Sequence, residues 1–257
     1  MRAIRAGLIG MALLALAACG GPGERARGIP DRFRDLDPYD WRGLTPARHA
    51  VHGIDVSRYQ GDIDWHRVAR SGVSFAFVKA TEGGDHTDPS FAANWQGAAR
   101  AGLPRGAYHF FYLCRPAAEQ AAWFLAHVPR EAGALPPVLD IEWNHASRTC
   151  RARPDPAGLR AEIATFQDIV ARHYGQRPVI YTTVDFFADN DLGRLGREEF
   201  WLRSVAGHPR KTFPGQDWSF WQYTGTGVVH GVSGAVDLNA FAGSEADWAR
   251  WRARRSL

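Results

Sequence analysis

The stretch PPVLDIEWN, residues 136–144, reads as a strand made for burial, yet it ends in two carboxylates, Asp140 and Glu142. On a strand, positions i and i+2 point to the same side, so the two acids face together while Ile141 faces away. Two acids on one face of a buried strand make sense where that face opens into a cleft. The C-terminal rim of a β/α barrel is such an opening. The fold therefore turns on whether the chain around this strand alternates strand and helix.

It does. VHGIDVS (51–57), SFAFVKATEG (74–83), RGAYHFFYL (105–113) and RPVIYTTV (177–184) read as further strands. Between them DWHRVARSG (64–72), PSFAANWQGAARAG (89–102), PAAEQAAWFLAHV (116–128) and PAGLRAEIATFQDIVARHYG (156–175) read as helices. Three of these end on a glycine, Gly72, Gly102 and Gly175, as a left-handed cap before the next strand requires. Such alternation implies parallel β/α units. After Tyr181 the pattern changes: FWLRSV (200–205), DWSFWQYTG (217–225) and AVDLNAFAG (235–243) read as strands with little helix between them. The closing SEADWARWRARR (244–255) reopens as a helix, with Ser244 and Asp247 placed for a capping box. The expected fold class is α/β, a modified TIM-like β/α barrel of eight strands with its last helices reduced or missing. An open doubly wound sheet is the second choice, and the lack of a Gly-rich dinucleotide fingerprint after the first strand counts against it.

Polar residues gather at the same end of these strands. Asp55 ends the first and Glu82 the second; Tyr108 and Phe110 lie on the third, Tyr181 on the fifth, Gln222 on the seventh, and Asp237 with Asn239 on the last. Taken singly each has a plain structural use: Asp55 as a loop cap, Glu82 as a solvated turn residue, His109 as a core histidine, Tyr181 as packing. Taken together, Asp55, Asp140, Glu142 and Asp237 make a catalytic cluster. Close carboxylates push each other's pKa upward and apart, so one stays protonated while another is ionised. That suits glycoside cleavage, in which an acid protonates the bridging oxygen and an anion stabilises an oxocarbenium-like transition state. Trp143, Trp201, Trp218, Trp221, Phe110 and Tyr223 offer apolar faces for sugar rings. Metal-assisted hydrolysis ranks well below, since no histidine-rich ligand set accompanies the acids.

The chain of 257 residues has 31 basic against 27 acidic side chains, a net charge of +4, and is 45% hydrophobic. Without Arg2 and Arg5, which lie in the leader, the balance falls to +2, too weak to argue for nucleic acid. The N-terminus, MRAIRAGLIGMALLALAACGG, has a basic start and an apolar run too short to span a bilayer comfortably, which reads as a secretory signal over 1–18. LAAC, residues 16–19, resembles a bacterial lipobox, making Cys19 the lipidated first residue of the mature chain. Residues 19–50 then read as a lipidated Cys with a tether, whose Phe33, Tyr39 and Trp41 have scope to pack on the domain over 51–257. With Cys19 taken, Cys114 and Cys150 remain as a pair in an oxidising compartment, where a disulfide worth roughly 3 to 4 kcal/mol is expected, free buried thiols being the alternative.

In family order the chain carries GIDVSRYQGDIDW (53–65), FVKATEG (77–83), GAYHFF (106–111), PVLDIE (137–142), PVIYTT (178–183), FWLRSV (200–205), WQYTGTG (221–227) and GAVDLNAF (234–241). This ordered set resembles the family 25 glycoside hydrolases, N-acetylmuramidase lysozymes. The resemblance implies a modified β/α barrel and cleavage of the β-1,4 bond between N-acetylmuramic acid and N-acetylglucosamine in peptidoglycan, with no metal or other cofactor. It implies Glu142 as general acid, Asp140 as the residue assisting the anomeric centre, and Asp55 and Asp237 as flanking acids. Tyr108, Tyr181, Gln222 and Phe110 are the expected substrate contacts. Expected partners are peptidoglycan strands and a membrane through Cys19, with no nucleic acid and a monomeric chain. The location is extracytoplasmic, on the outer membrane if the cell has one. The competing functions are a wall-binding lipoprotein without turnover and a hydrolase of another N-acetylated glycan such as chitin.

Overall fold

The computed structural model describes residues 28–196 and 198–257, so Cys19 and the leader lie outside the described residues. Its strands are β1 (Arg34–Asp35), β2 (His52–Val56), β3 (Phe75–Glu82), β4 (His86–Thr87), β5 (Arg105–Phe110), β6 (Val138–Asp140), β7 (Val179–Thr183), β8 (Phe200–Arg203), β9 (Phe220–Val228) and β10 (Val236–Phe241). Among the described residues eight of these close a barrel in the order β2-β3-β5-β6-β7-β8-β9-β10 and back to β2. Neighbours from β2 to β9 pair in parallel, whereas β10 runs antiparallel to both β9 and β2. The helices are α1 (Trp65–Arg70), α2 (Phe91–Arg100), α3 (Ala117–His127), α4 (Pro156–Tyr174), α5 (Val184–Asp189), α6 (Pro209–Thr212) and α7 (Glu245–Arg255). The helices following β8 and β9 are reduced, one to the four-residue α6 and the other to a turn, as the thinning of the sequence pattern predicts.

Period-two alternation sorts the barrel strands into two faces, with register shifts after Lys79 in the β3–β5 pair and in the β9–β10 pair. Ile54, Val78, Leu139, Ile180, Leu202 and Leu238 point outward into a layer shared with Val68, Ala98, Phe124 and Phe166 of the helices. Phe75, Phe77, Val138, Val179, Trp201, Phe220 and Phe241 point inward, and Trp248 and Trp251 of α7 join them. A small barrel holds so many rings only where facing positions are small. A Cβ on Gly53 would lie 2.5 Å from the Phe75 ring, and one on Gly106 would lie 2.9 Å from the Phe77 ring. The helix ends follow the sequence signals: Gly175 caps α4 at φ 75°, Gly72 and Gly102 take φ 98° and 75°, and Ser244 with Asp247 forms the capping box of α7.

Where it is described, the stretch read as a tether is largely exposed, Tyr39 included, but is pinned to the domain at a few points. Phe33 is buried, Arg34 of β1 pairs with Val228 of β9, and Trp41 meets Trp221 edge-on at a centroid distance of 5.1 Å. Burial of these apolar side chains on the outer face holds the segment down.

Candidate active site

Each inward row changes character towards one end of the barrel. On β3 it runs Phe75, Phe77, Lys79; on β6 and beyond it, Val138, Asp140, Glu142; on β8 it is Trp201, then Arg203. These last inward positions, with Asp55, Tyr108, Phe110, Tyr181, Gln222 and Asp237, line a cavity of about 370 Å³. The strand β6 ends at Asp140, two residues before Glu142, which the expected strand carried. Alternation nevertheless persists past it: the Ile141 amide donates to the Tyr181 carbonyl at 3.0 Å, Ile141 is buried outward, and Glu142 returns to the cavity. Asp237 reaches the same rim from the opposite direction, because β10 starts where its parallel neighbours end and pairs Asp237 with Asp55.

Asp55 is fixed by a buried chain of donors. Trp201 Nε1 donates to Asn239 Oδ1 at 2.7 Å, which turns the Asn239 amide so that Nδ2 donates to Asp55 Oδ2 at 2.8 Å. Tyr181 donates its hydroxyl proton to Gln222 Oε1 at 2.9 Å, and Gln222 Nε2 donates to the same Asp55 oxygen at 3.0 Å. An indole N–H can only donate, so Trp201 sets the orientation of the Asn239 amide. Burial raises the Asp55 carboxyl to about 6 against the pull of these two donors. Asp140 is pushed well above the usual carboxylate range, first by burial and then by the charge of Glu142, and its Oδ1 has no hydrogen-bond partner among the described residues. Burial lifts Glu142 to about 7, opposed by Arg203, and lifts Asp237 to about 8 with help from Asp55. Tyr108 and Tyr181 are raised as well, by burial and the surrounding carboxylates, and so remain neutral donors. A cleft with several proton-holding acids and one well-braced carboxylate is suited to donating a proton to a leaving oxygen beside an anion.

The family model for glycosyl hydrolases family 25 matches residues 54–232. The chain belongs to that family. Over 242 residues, 88% of this chain and 80% of its relative, it is 38% identical to Lysozyme M1 of Streptomyces globisporus. It is 39% identical to the uncharacterised protein YegX of Escherichia coli O157:H7 over 205 residues, 78% of this chain and 72% of that one. The solved structure of a family 25 glycosyl hydrolase from Bacillus anthracis superposes with a TM-score of 0.72 at 32% identity, covering 79% of this chain and 94% of the other. This family 25 member is a glycoside hydrolase with the modified TIM-like barrel of its structural neighbours.

All eight residues singled out in the sequence for catalysis or substrate contact line the one cavity. Other polar and aromatic candidates are sorted by the structure. Glu82 is drawn aside: its Oε2 accepts from Lys79 Nζ at 2.6 Å and its Oε1 from the Tyr112 hydroxyl. His109 is a core residue, buried outward between Thr81 Oγ1 at 2.7 Å and Gln120 Oε1 at 3.1 Å. Trp221 and Tyr223 are buried in the outer layer and cannot face a sugar, whereas Trp201 lines the cavity. Two cations also line the family 25 cleft, Lys79 and Arg203, and neither is among the residues the sequence pattern singles out. Their sequence signal is alternation: each stands two residues after an inward aromatic, Phe77 and Trp201. Lys79 Nζ also sits 4.9 Å from the centre of the Phe110 ring, which fixes that wall.

Away from the cleft, Cys114 and Cys150 are joined in a disulfide with Cα atoms 5.6 Å apart. The bridge fastens the loop after β6 to the loop after β5.

Proposed function

We propose that this chain is an N-acetylmuramidase that hydrolyses the β-1,4 bond between N-acetylmuramic acid and N-acetylglucosamine in peptidoglycan. The observation that carries this reading is the shared cavity of Asp140 and Glu142, where burial raises Glu142 to about 7 and so keeps part of it protonated at neutral pH. Glu142 donates that proton to the bridging oxygen as the bond to the anomeric carbon breaks. The carboxylate left behind sits in the field of Arg203, which favours its charge. Asp140 assists the anomeric centre. Asp55, ionised above about pH 6 and braced by Gln222 and Asn239, and Asp237 supply flanking charge and hold the sugar. Water completes the cleavage by adding hydroxide to the anomeric carbon, its second proton returning to a cleft carboxylate. Tyr108, Tyr181, Gln222 and Phe110 contact the glycan.

The test is chemical. Purified peptidoglycan is digested, the products are reduced with borohydride, and the new end sugar is identified by mass spectrometry. Muramitol ends that disappear with Glu142→Gln support the reading. N-acetylglucosaminitol ends would reject it, and so would undiminished cleavage by the variant.

The proposal extends to location: a monomer held by lipid on Cys19 outside the cytoplasm, on the outer membrane where the cell has one. Its support is the basic and apolar leader with LAAC at 16–19, and the Cys114–Cys150 disulfide, which fits an oxidising compartment. No helix among the described residues is long and apolar enough to cross a membrane. Cys19→Ser should release the protein from membranes, and a variant that remains membrane-bound and lipidated would remove the anchor from the proposal.

A further inference from the structure

The cleft continues beyond Glu142. A second cavity of about 560 Å³ shares Glu142 and Arg203 with the first. A third, of about 310 Å³, shares Trp143 and His145 with the second and ends at Asn144, Cys150, Arg151 and Arg153. Each cavity thus adjoins the next through shared walls, and the chemistry of the lining reverses from the first to the third. The first cavity is lined by four carboxylates; the third has two arginines and a histidine on its walls and no acid.

The basic end is preorganised. The Arg153 guanidinium lies 4.0 Å over the Trp143 ring, a contact that uses its face and leaves its in-plane N–H groups free. Arg151 Nε donates to the Ser147 carbonyl at 2.8 Å. Among the described residues neither arginine is paired with a carboxylate. The nearby acids are committed elsewhere. Asp189 Oδ2 accepts from Trp143 Nε1 at 2.9 Å, Asp185 Oδ1 from Thr183 Oγ1 at 2.6 Å, and Asp155 caps the amides of Ala157 and Gly158. The disulfide through Cys150 holds the loop in place.

We infer that this basic end of the groove binds the carboxylates of the peptide stem carried by muramic acid, so that the enzyme selects stem-bearing glycan over bare glycan. The inference rests on the muramidase reading and deepens it. Glycan stripped of its stems keeps only the lactyl carboxylate beside each muramic acid ring, whereas a stem peptide carries free carboxylates farther out, whose geometry suits a guanidinium fork at the distant end of the groove. An extended peptide gains roughly 3.3 to 3.6 Å per residue, so a short stem leaving the sugar at the first cavity can follow the groove.

The experiment compares kcat/KM on peptidoglycan with intact stems and on glycan strands stripped by an amidase, for the wild type and for Arg151→Glu/Arg153→Glu. The wild type should prefer the stem-bearing substrate. The preference should fall roughly threefold to tenfold in the variant, the effect of losing two exposed charge pairs. An unchanged ratio overturns the inference, as does a variant effect that appears only when an anionic phosphate polymer remains on the wall. Where melting shows the variant to be unfolded, the wild type is assayed on stems with free against amidated carboxylates: faster cleavage of the free form supports the inference, and equal rates reject it. Failure to cleave either glycan would strike the muramidase reading itself, while equal cleavage of both strikes only the stem pocket.

Discussion

The two ends of the barrel interior come from the same strands by the same alternation, yet one end is a block of aromatic rings and the other a cluster of acids. At the closed end Phe75 packs on Phe77, Phe220 and Trp248 at centroid distances of 5.6, 5.2 and 5.3 Å. At the open end Asp55, Asp140, Glu142 and Asp237 share a cavity and are all pushed upward in pKa by burial. The first arrangement gains free energy by removing apolar surface from water. The second gives some up, because a buried carboxyl is held away from its solvated, ionised form. Function is placed where the strand ends let a destabilising cluster be carried by a stable body of the same strands.

Substitutions at the two ends should therefore separate activity from stability. The largest effect is expected at the open end. Glu142→Gln removes the proposed proton donor and should lower turnover on peptidoglycan by about 10²- to 10⁴-fold, the range of general acid catalysis. Melting should be unharmed or improved at neutral pH. A variant that loses stability and activity together would mean that Glu142 serves the fold. At the closed end the pattern inverts. Phe75→Ala deletes a fully buried ring and should cost about 3 to 5 kcal/mol in denaturant unfolding, with little change in kcat for the fraction that stays folded.

The disulfide tests the loop between these regimes. Cys114 and Cys150 are 36 residues apart, so Cys114→Ser/Cys150→Ser should cost roughly 4 kcal/mol by the chain-entropy account. Since the bridge holds the wall that carries Trp143 and Arg153, activity on polymeric substrate should fall further than stability alone explains. Loss of stability with unchanged kcat/KM would separate the bridge from the groove.

What could be read from the sequence follows the range of the interactions. The eight strands, the reduced late helices and the pairing of Asp140 with Glu142 on one face need only local periodicity, and all stand in the structure. The antiparallel entry of Asp237 does not follow locally, because it depends on β10 closing the barrel against β2. The orientation of Asp55 depends on Trp201, Asn239 and Gln222, brought together from β8, β10 and β9 by the same closure. Lys79 and Arg203 were within reach of the alternation rule, but a lone cation among apolar residues looks like a strand end until the opposite wall of the cleft is known. The packing of Trp41 on Trp221 is likewise a contact between segments far apart in the chain.

The smallest effect is the sharpest test of the comparison, because it concerns the wild-type protein as pH changes. Glu142 titrates near 4.5 when unfolded and near 7 in the folded cleft, raised by burial. Between these values the unfolded chain has released a proton that the folded protein still holds, so stability falls as pH rises, by up to about 1.4 kcal/mol per unit, and levels off above about 7. Glutamine cannot ionise, so the stability of Glu142→Gln relative to wild type should be smallest below about pH 4.5 and grow to a plateau above about 7. Buried histidines act in the opposite sense: His49, His52 and His109 are lowered by burial to about 4, so their contribution rises with pH between about 4 and 6.5. They are present in both proteins and largely cancel in the difference. Denaturant unfolding of the pair across this range measures the curve directly. A flat difference would mean that Glu142 ionises in the folded cleft as freely as in water, and the open end would then lack the held proton on which acid catalysis depends.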